Sequence, residues 1–251
     1  MIEIKNINKS YGDKKVVDDV SFNIEEGKIT SFIGPNGAGK STVLSIISRL
    51  MSPDSGQVFI DGKEINEWDS KELSKKLSIL KQSNNLNIRL TIRELVSFGR
   101  FPYCEGKLKK EDEKIVDNAL EYMKLEDIQD KYLDELSGGQ RQRAYIAMII
   151  AQDTDYILLD EPLNNLDMKH SAEMMRMLRK MVNDLGKTII IVIHDINFAS
   201  CYSDNIVALR NGKLIKHSET NEMITEENLS KLYDMNFNIR EVNNQKICVY
   251  F

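Results

Sequence analysis

Ile29-Thr-Ser-Phe-Ile33-Gly34-Pro-Asn-Gly-Ala-Gly-Lys40-Ser41-Thr42 passes from a short apolar run through a glycine-rich turn. Val43, Leu44, Ile46, Ile47 and Leu50 follow at helical spacing. Strand, glycine loop, helix is the order found at the edge of an open α/β sheet. Gly34 to Ser41 also fits G-x-x-x-x-G-K-[ST], the phosphate-binding loop. Glycines let backbone N–H groups converge on phosphate oxygens, and the following helix turns its positive dipole end toward the same charge. Lys40 is then placed to reach the β- and γ-phosphates of a nucleoside triphosphate, and the Ser41 hydroxyl to meet Mg²⁺.

Upstream of this loop, Ile2, Ile4 and Ile7 and then Val20, Phe22 and Ile24 alternate as in half-buried antiparallel strands. Downstream, the turn Ser52-Pro-Asp-Ser-Gly56 leads to a strand at Gln57 to Ile60. From Thr91 to Gln152 the pattern becomes helical and charged, most clearly from Glu111 to Met123. Two runs typical of buried parallel strands follow, Tyr156 to Leu159 and Thr188 to Ile193, with a helix predicted between Met168 and Asp184. Met174, Met175, Met177 and Met181 on that helix read as packing rather than metal ligands. The end of the chain predicts a hairpin at Asn211-Gly212, a helix from Glu226 to Tyr233 and one closing strand. This organisation predicts a single α/β domain, with residues 1–85 and 153–251 forming a core and β subdomain around a helical insertion at about 86–152.

Composition narrows the function classes. The 251 residues are 41% hydrophobic and 29% charged, ordinary for a soluble globular chain. A net charge of −5 without a long basic run argues against bulk adhesion to nucleic acid or anionic lipid. Cys104, Cys201 and Cys248 have no metal-ligand spacing and read as buried or bystander thiols. No apolar run approaches the ~18 residues that span a bilayer, so work at a membrane calls for a separate membrane partner.

Two further motifs bear on chemistry. Tyr156-Ile-Leu-Leu-Asp160-Glu161 is an apolar strand ending in adjacent carboxylates. Alone, such a pair is a solvated edge; beside a phosphate loop, Asp160 suits Mg²⁺ and Glu161 suits an attacking water, because phosphoryl transfer needs positioning and charge stabilisation. Leu136-Ser137-Gly138-Gly139-Gln140 precedes a helical run from Arg141 to Gln152. Ser137 and two glycines at a helix start offer a second set of backbone N–H donors, although a plain N-cap reads the same way.

In this order, the phosphate loop, Leu136 to Gln140 and Asp160-Glu161-Pro162 resemble the nucleotide-binding subunit of ABC transporters, and the resemblance spans essentially the whole chain. It implies the ABC ATPase fold: a RecA-like P-loop NTPase core, an N-terminal antiparallel β subdomain and an inserted α-helical subdomain. It implies that Tyr11 stacks on adenine and that ATP is further held by Val16, Gly34, Pro35, Asn36, Gly37, Ala38, Gly39, Lys40, Ser41 and Thr42. Mg²⁺ falls to Ser41, Gln82 and Asp160; Glu161 acts as general base; His194 contacts the γ-phosphate and orients the water. The resemblance also implies a head-to-tail homodimer. Leu136, Ser137, Gly138, Gly139 and Gln140 of one copy close over ATP held by the other, and a loop with Asn165 and Asp167 crosses between them. Integral membrane permease subunits, and indirectly an extracellular substrate-binding protein, are the implied partners, with the chain peripheral at the cytoplasmic face of the cell membrane.

Within the family, Asn87 to Tyr103, Glu161 to His170, Ala151 to Tyr156 and Ile193 to Ser200 are similar to importers of ferric siderophores, most of all to Gram-positive petrobactin importers. Leu163-Asn164-Asn165 replaces the small residues common in other relatives and agrees with that group. Haem and cobalamin importers share the architecture. A non-transport ABC ATPase of iron–sulfur assembly is the surviving rival, whereas DNA-maintenance clamps need sustained heptads and GTPase switches need Asn-Lys-x-Asp, both missing from the sequence.

Overall fold

The alternation at the start of the chain forms β1 (Ile2–Tyr11), paired antiparallel with β2 (Lys14–Ile24). Its apolar spacing of Ile2, Ile4 and Ile7 departs from a strict period of two for a physical reason. Asn6 and Asp19 adopt positive φ of 48° and 52°, and the register shifts between Ile4 and Ile7. The extra residue returns Ile7 to the buried face, and Asn6 Nδ2 donates to Asp19 Oδ1 across the bulge at 2.9 Å. The chain then enters β3 (Ile29–Ile33), buried at every residue, and α1 (Lys40–Ile47). β4 (Ser55–Ile60) and β5 (Lys63–Glu64) complete an antiparallel sheet in the order β2-β1-β4-β5. α1 ends sooner than its apolar spacing suggests: Arg49 takes φ 58°, and Leu50 lies past the helix, exposed.

Asp69 caps α2 (Ser70–Lys76), and β6 (Leu77–Leu80) follows. The helical segment comprises α3 (Ile92–Phe98), α4 (Phe101–Cys104), α5 (Lys110–Tyr122) and α6 (Gly138–Gln152); after it β7 (Tyr156–Asp160) pairs parallel with β6. Arg100 and Tyr103 fasten the end of α6. Arg100 donates to Asp112 Oδ1 at 2.9 Å and to Ala151 O at 2.8 Å, and Tyr103 Oη donates to Gln152 O at 3.0 Å. The last carbonyls of a helix have no partner inside it, so these side chains satisfy groups that would otherwise be orphaned.

α7 (Met168–Leu185) buries Met174, Met175, Leu178 and Met181, the packing role read from the sequence. β8 (Thr188–Val192), α8 (Ile196–Tyr202), β9 (Asn205–Arg210) and β10 (Lys213–Glu219) come next. β8 and β9 lie on either side of β3 and parallel to it, and β10 pairs antiparallel with β9. Asn211 and Gly212 turn that hairpin with φ of 51° and 78°, as a type I′ turn demands. α9 (Thr220–Met223) and α10 (Glu226–Tyr233) precede β11 (Asn238–Val242) and β12 (Gln245–Val249). The single closing strand expected from the sequence is therefore a hairpin, turned by Asn243 and Asn244 at φ 51° and 60°. β11 is exposed at four of its five positions, so no apolar alternation marked it.

The computed structural model describes residues 1–81, 89–104, 106–164 and 166–250. Met1–Trp68 with Met175–Phe251 form one compact unit and Asp69–Met174 another. The helices read as an insertion over 86–152 lie in the second unit, together with α2, β6 and β7, because β6 and β7 pair with each other.

Candidate active site

β3 and β8 run parallel with Phe32 opposite Val192, so Gly34 and His194 leave the same edge of the sheet two residues later. Ile193 N–H donates to Phe32 O at 3.2 Å and holds the two exits level. Gly34 takes φ 138°, and a Cβ there would lie 1.9 Å from Leu209 O, so only glycine allows this approach to β9. Both polar groups of Gly34 are used: its N–H donates to Tyr233 Oη at 3.1 Å, and its carbonyl accepts from Lys40 Nζ at 2.8 Å. Pro35 O accepts from the same ammonium at 3.0 Å and from Ala38 N–H at 3.1 Å. Lys40 is 5% exposed, although it carries a full charge. An anionic ligand would be a stronger partner for this ammonium than a neutral carbonyl.

Around the loop, Asn36 and Gly37 are exposed, Pro35, Gly39, Ser41 and Thr42 are half-buried, and Ala38 is buried. Gly39 begins α1 at φ 98° without any side-chain cap, 2.5 Å from Val16 O by the position a Cβ would take. Val16, assigned to ATP from the resemblance, thus packs its backbone on the loop. Tyr11 ends β1, 51% exposed, with its hydroxyl 3.1 Å from Met51 Sδ. A strand aromatic that serves only the core would be covered; this one offers a flat face. His194 is exposed, and Asp195 beside it caps α8 by accepting from the N–H groups of Asn197 and Phe198.

In the second unit, β6 and β7 pair with Leu80 opposite Leu159, so Asp160 ends its strand level with the residue after Leu80. Gln82 and Asn165 lie outside the described residues. Asp160 is 8% exposed. Glu161 follows in the left-handed region at φ 52°, a conformation that costs a non-glycine residue roughly 1–2 kcal/mol. Asn164 Nδ2 donates to Glu161 Oε2 at 2.5 Å and Asn164 N–H to Glu161 O at 3.2 Å, so the turn itself aims the carboxylate. Ser41 and Asp160 are hard oxygen donors, the kind that suits Mg²⁺ rather than a softer metal.

Ser137 caps α6: its Oγ accepts from Gln140 N–H at 3.3 Å, while Gln140 Oε1 accepts from Ser137 N–H at 3.1 Å. Leu136 is buried beneath the cap, and Ser137 and Gly138 are exposed. Gly139 is buried because the His170 imidazole lies against it; a Cβ would stand 2.8 Å from His170 Cδ2. His170 is in turn held by Asp167 Oδ1, which accepts from both His170 N–H and Nδ1 at 2.8 Å. The backbone hydrogen bond from His170, seconded by the imidazole, keeps the Asp167 carboxyl below the usual range. The sequence reading named Asp167 and Gly139 separately and missed His170, which joins them. Its only signal was the Asp-x-x-His spacing, which matches a helix start. Tyr233 was missed too, since nothing local links it to Gly34.

In the first unit an apolar strand feeds a glycine loop with a buried lysine, chemistry suited to a triphosphate, and in the second a carboxylate stands at a strained strand end, chemistry suited to directing water. Residues 17–164 match the family described as ABC transporter. The chain is 64% identical over its full length, and over the full length of the relative, to the petrobactin import ATP-binding protein YclP of Bacillus subtilis (strain 168). It is 46% identical, again covering both chains completely, to the petrobactin import ATP-binding protein FatE of Bacillus anthracis. Among solved structures it resembles the dimeric post-hydrolysis state of the ATP-binding cassette MJ0796 bound to ADP and Pi, at TM-score 0.78 and 35% identity, covering 88% of this chain and 99% of that one. The chain belongs to the ABC transporter family.

Proposed function

We propose that this chain is the ATP-hydrolysing subunit of a ferric-siderophore importer, with petrobactin or a close chemical relative as cargo. It works as a head-to-tail homodimer beneath permease subunits at the cytoplasmic face of the membrane, and an extracellular binding protein delivers the chelate. Among the described residues no helix is long and apolar enough to cross a membrane; in this reading the permease subunits form the pore. The observation that carries this reading is the 64% identity that leaves no part of either chain over.

In this mechanism ATP rests on Tyr11 and Val16, with its phosphates in the Gly34–Thr42 loop. Lys40 exchanges the carbonyls of Gly34 and Pro35 for the β- and γ-phosphates. Ser41, Asp160 and Gln82 would hold Mg²⁺, which would offset charge on the phosphates. Glu161 accepts a proton from the attacking water, and His194 orients that water and the γ-phosphate. Ser137 to Gln140 of the second copy seal the nucleotide, and the loop bearing Asn165 and Asp167 passes between the copies.

Glu161→Gln keeps the shape of the side chain and removes its basicity. Hydrolysis should fall by about a hundredfold or more, with ATP affinity retained and dimers accumulating in ATP by sedimentation. Hydrolysis at the parent rate would remove Glu161 from the role of base. Cargo is tested in liposomes holding the permease and binding protein: ATP-driven uptake of ferric petrobactin is the expected result, and uptake of haem or cobalamin in its place would reassign the importer.

A further inference from the structure

The C-terminal residues fit into no motif, yet they touch the glycine loop at one point and α8, the helix after His194, at another. Tyr233 closes α10 with its hydroxyl on the Gly34 N–H. Burial of its half-covered phenol pushes its pKa up to about 12 and keeps it neutral. Its ring packs on Phe237 at 5.8 Å, and Phe237 packs on Tyr250 at 5.7 Å, so the contact is continuous with the β11–β12 hairpin. The hairpin then grips α8. Asn197 accepts from Cys248 N–H at 2.7 Å and donates to Cys248 O at 3.3 Å, as a paired strand residue would, and Ser200 Oγ donates to Lys246 O at 2.6 Å. Asn197 and Ser200 share one face of α8, the helix that begins directly after His194 and Asp195.

We infer that residues 226–250 are a brace with two arms, in which Tyr233 positions the phosphate loop and Asn197 lets the hairpin position His194. The inference rests on the proposed ATPase role for its catalytic consequences. Gly34 is held on its carbonyl by Lys40 and on its N–H by Tyr233. When Lys40 turns to a phosphate, the carbonyl contact is lost and the Tyr233 contact stays. The loop therefore keeps its shape while its lysine changes partners, the preorganisation that phosphate binding needs. Neither residue touches nucleotide in this account, so both are positioning residues.

Two substitutions separate the arms. Tyr233→Phe keeps the ring stack and removes the acceptor; KM for ATP should rise about fivefold while kcat stays within about twofold, the loss of one hydrogen bond expressed in loop order. Asn197→Ala releases the hairpin from α8; kcat should fall about fivefold with KM little changed, since His194 loses its setting. Backbone amide exchange in the nucleotide-free chain reads the first arm directly, and the peptide covering Ile33 to Ala38 should exchange several-fold faster in Tyr233→Phe alone. A parent that hydrolyses no ATP would defeat the ATPase reading and leave the brace to be judged on exchange. Parent-like exchange at Ile33 to Ala38 in Tyr233→Phe overturns the inference. So does a pair of variants in which kcat and KM move together in proportion to lost folded protein.

Discussion

Two helices in this chain start on glycine-rich turns, and they start differently. α1 opens at Gly39, which offers no side chain to the first-turn amides, and the loop ahead of it is shaped by close backbone approaches from Val16 and Leu209. α6 opens at Ser137, where serine and Gln140 satisfy each other's backbone N–H groups in a finished capping box. Both ends carry the positive pole of a helix, so both can take an anion. In the proposed mechanism a phosphate at α1 would draw Lys40 from the Gly34 and Pro35 carbonyls, whereas at α6 it would have to share or replace hydrogen bonds already made. The contrast teaches what each start already has in hand: the α1 turn keeps the Lys40 ammonium on neutral carbonyls, whereas the α6 cap closes on itself.

The sharpest way to break this contrast is Lys40→Ala. If the α1 site depends on one ammonium drawn from carbonyls to phosphates, ATP affinity should fall about a hundredfold or more, the loss of two charge-assisted hydrogen bonds. Titration with a fluorescent ATP analogue measures it. Affinity within threefold of the parent would show that the backbone amides alone carry the site, and the two helix starts would then be alike.

How far these features could be read in advance differs between the two starts as well. The strand-loop-helix around Gly34 and the cap at Ser137 are local, so residue types and spacing disclosed both, along with the buried strands at Tyr156 and Thr188. The partners that shape them are not local. Tyr233 reaches Gly34 across 199 residues, and no periodicity encodes such a meeting. His170 meets Gly139 through bare backbone, which looks in sequence like a second flexible glycine. The bulge at Asn6 and the hairpin turn at Asn243-Asn244 were legible in principle, because asparagine tolerates positive φ, but their flanking strands lack clean alternation. Glu161's positive φ had no sequence sign at all, since glutamate does not favour it.

His170 supplies the next test of how α6 is built. Within a helix, Gly→Ala is ordinarily stabilising by about 0.5–1 kcal/mol. At Gly139 the new methyl would meet the imidazole, so Gly139→Ala should instead destabilise the nucleotide-free chain and lower ATP turnover about tenfold. In a His170→Ala background the same substitution should regain its ordinary stabilising sign, and the coupling between the two should reach about 1–2 kcal/mol in denaturant titrations. Additive effects would separate Gly139 from His170, and with it the cap from the Asp167 loop.

The smallest expected effect bears most directly on what the Ser137 cap is for. Ser137→Ala removes an N-cap acceptor, which costs about 1 kcal/mol of stability in the lone chain. If Oγ serves only the helix, turnover at saturating ATP should be unchanged once the folded fraction is matched. If the cap also meets nucleotide held by a second copy, ATP-dependent dimerisation should weaken severalfold beyond that loss, and Ser137→Thr, which retains an acceptor, should recover much of it. Sedimentation with and without ATP distinguishes the two. A Ser137→Ala chain that dimerises in ATP as tightly as the parent would leave the α6 start as a helix cap and nothing more, and α1 would be the single anion site of the pair.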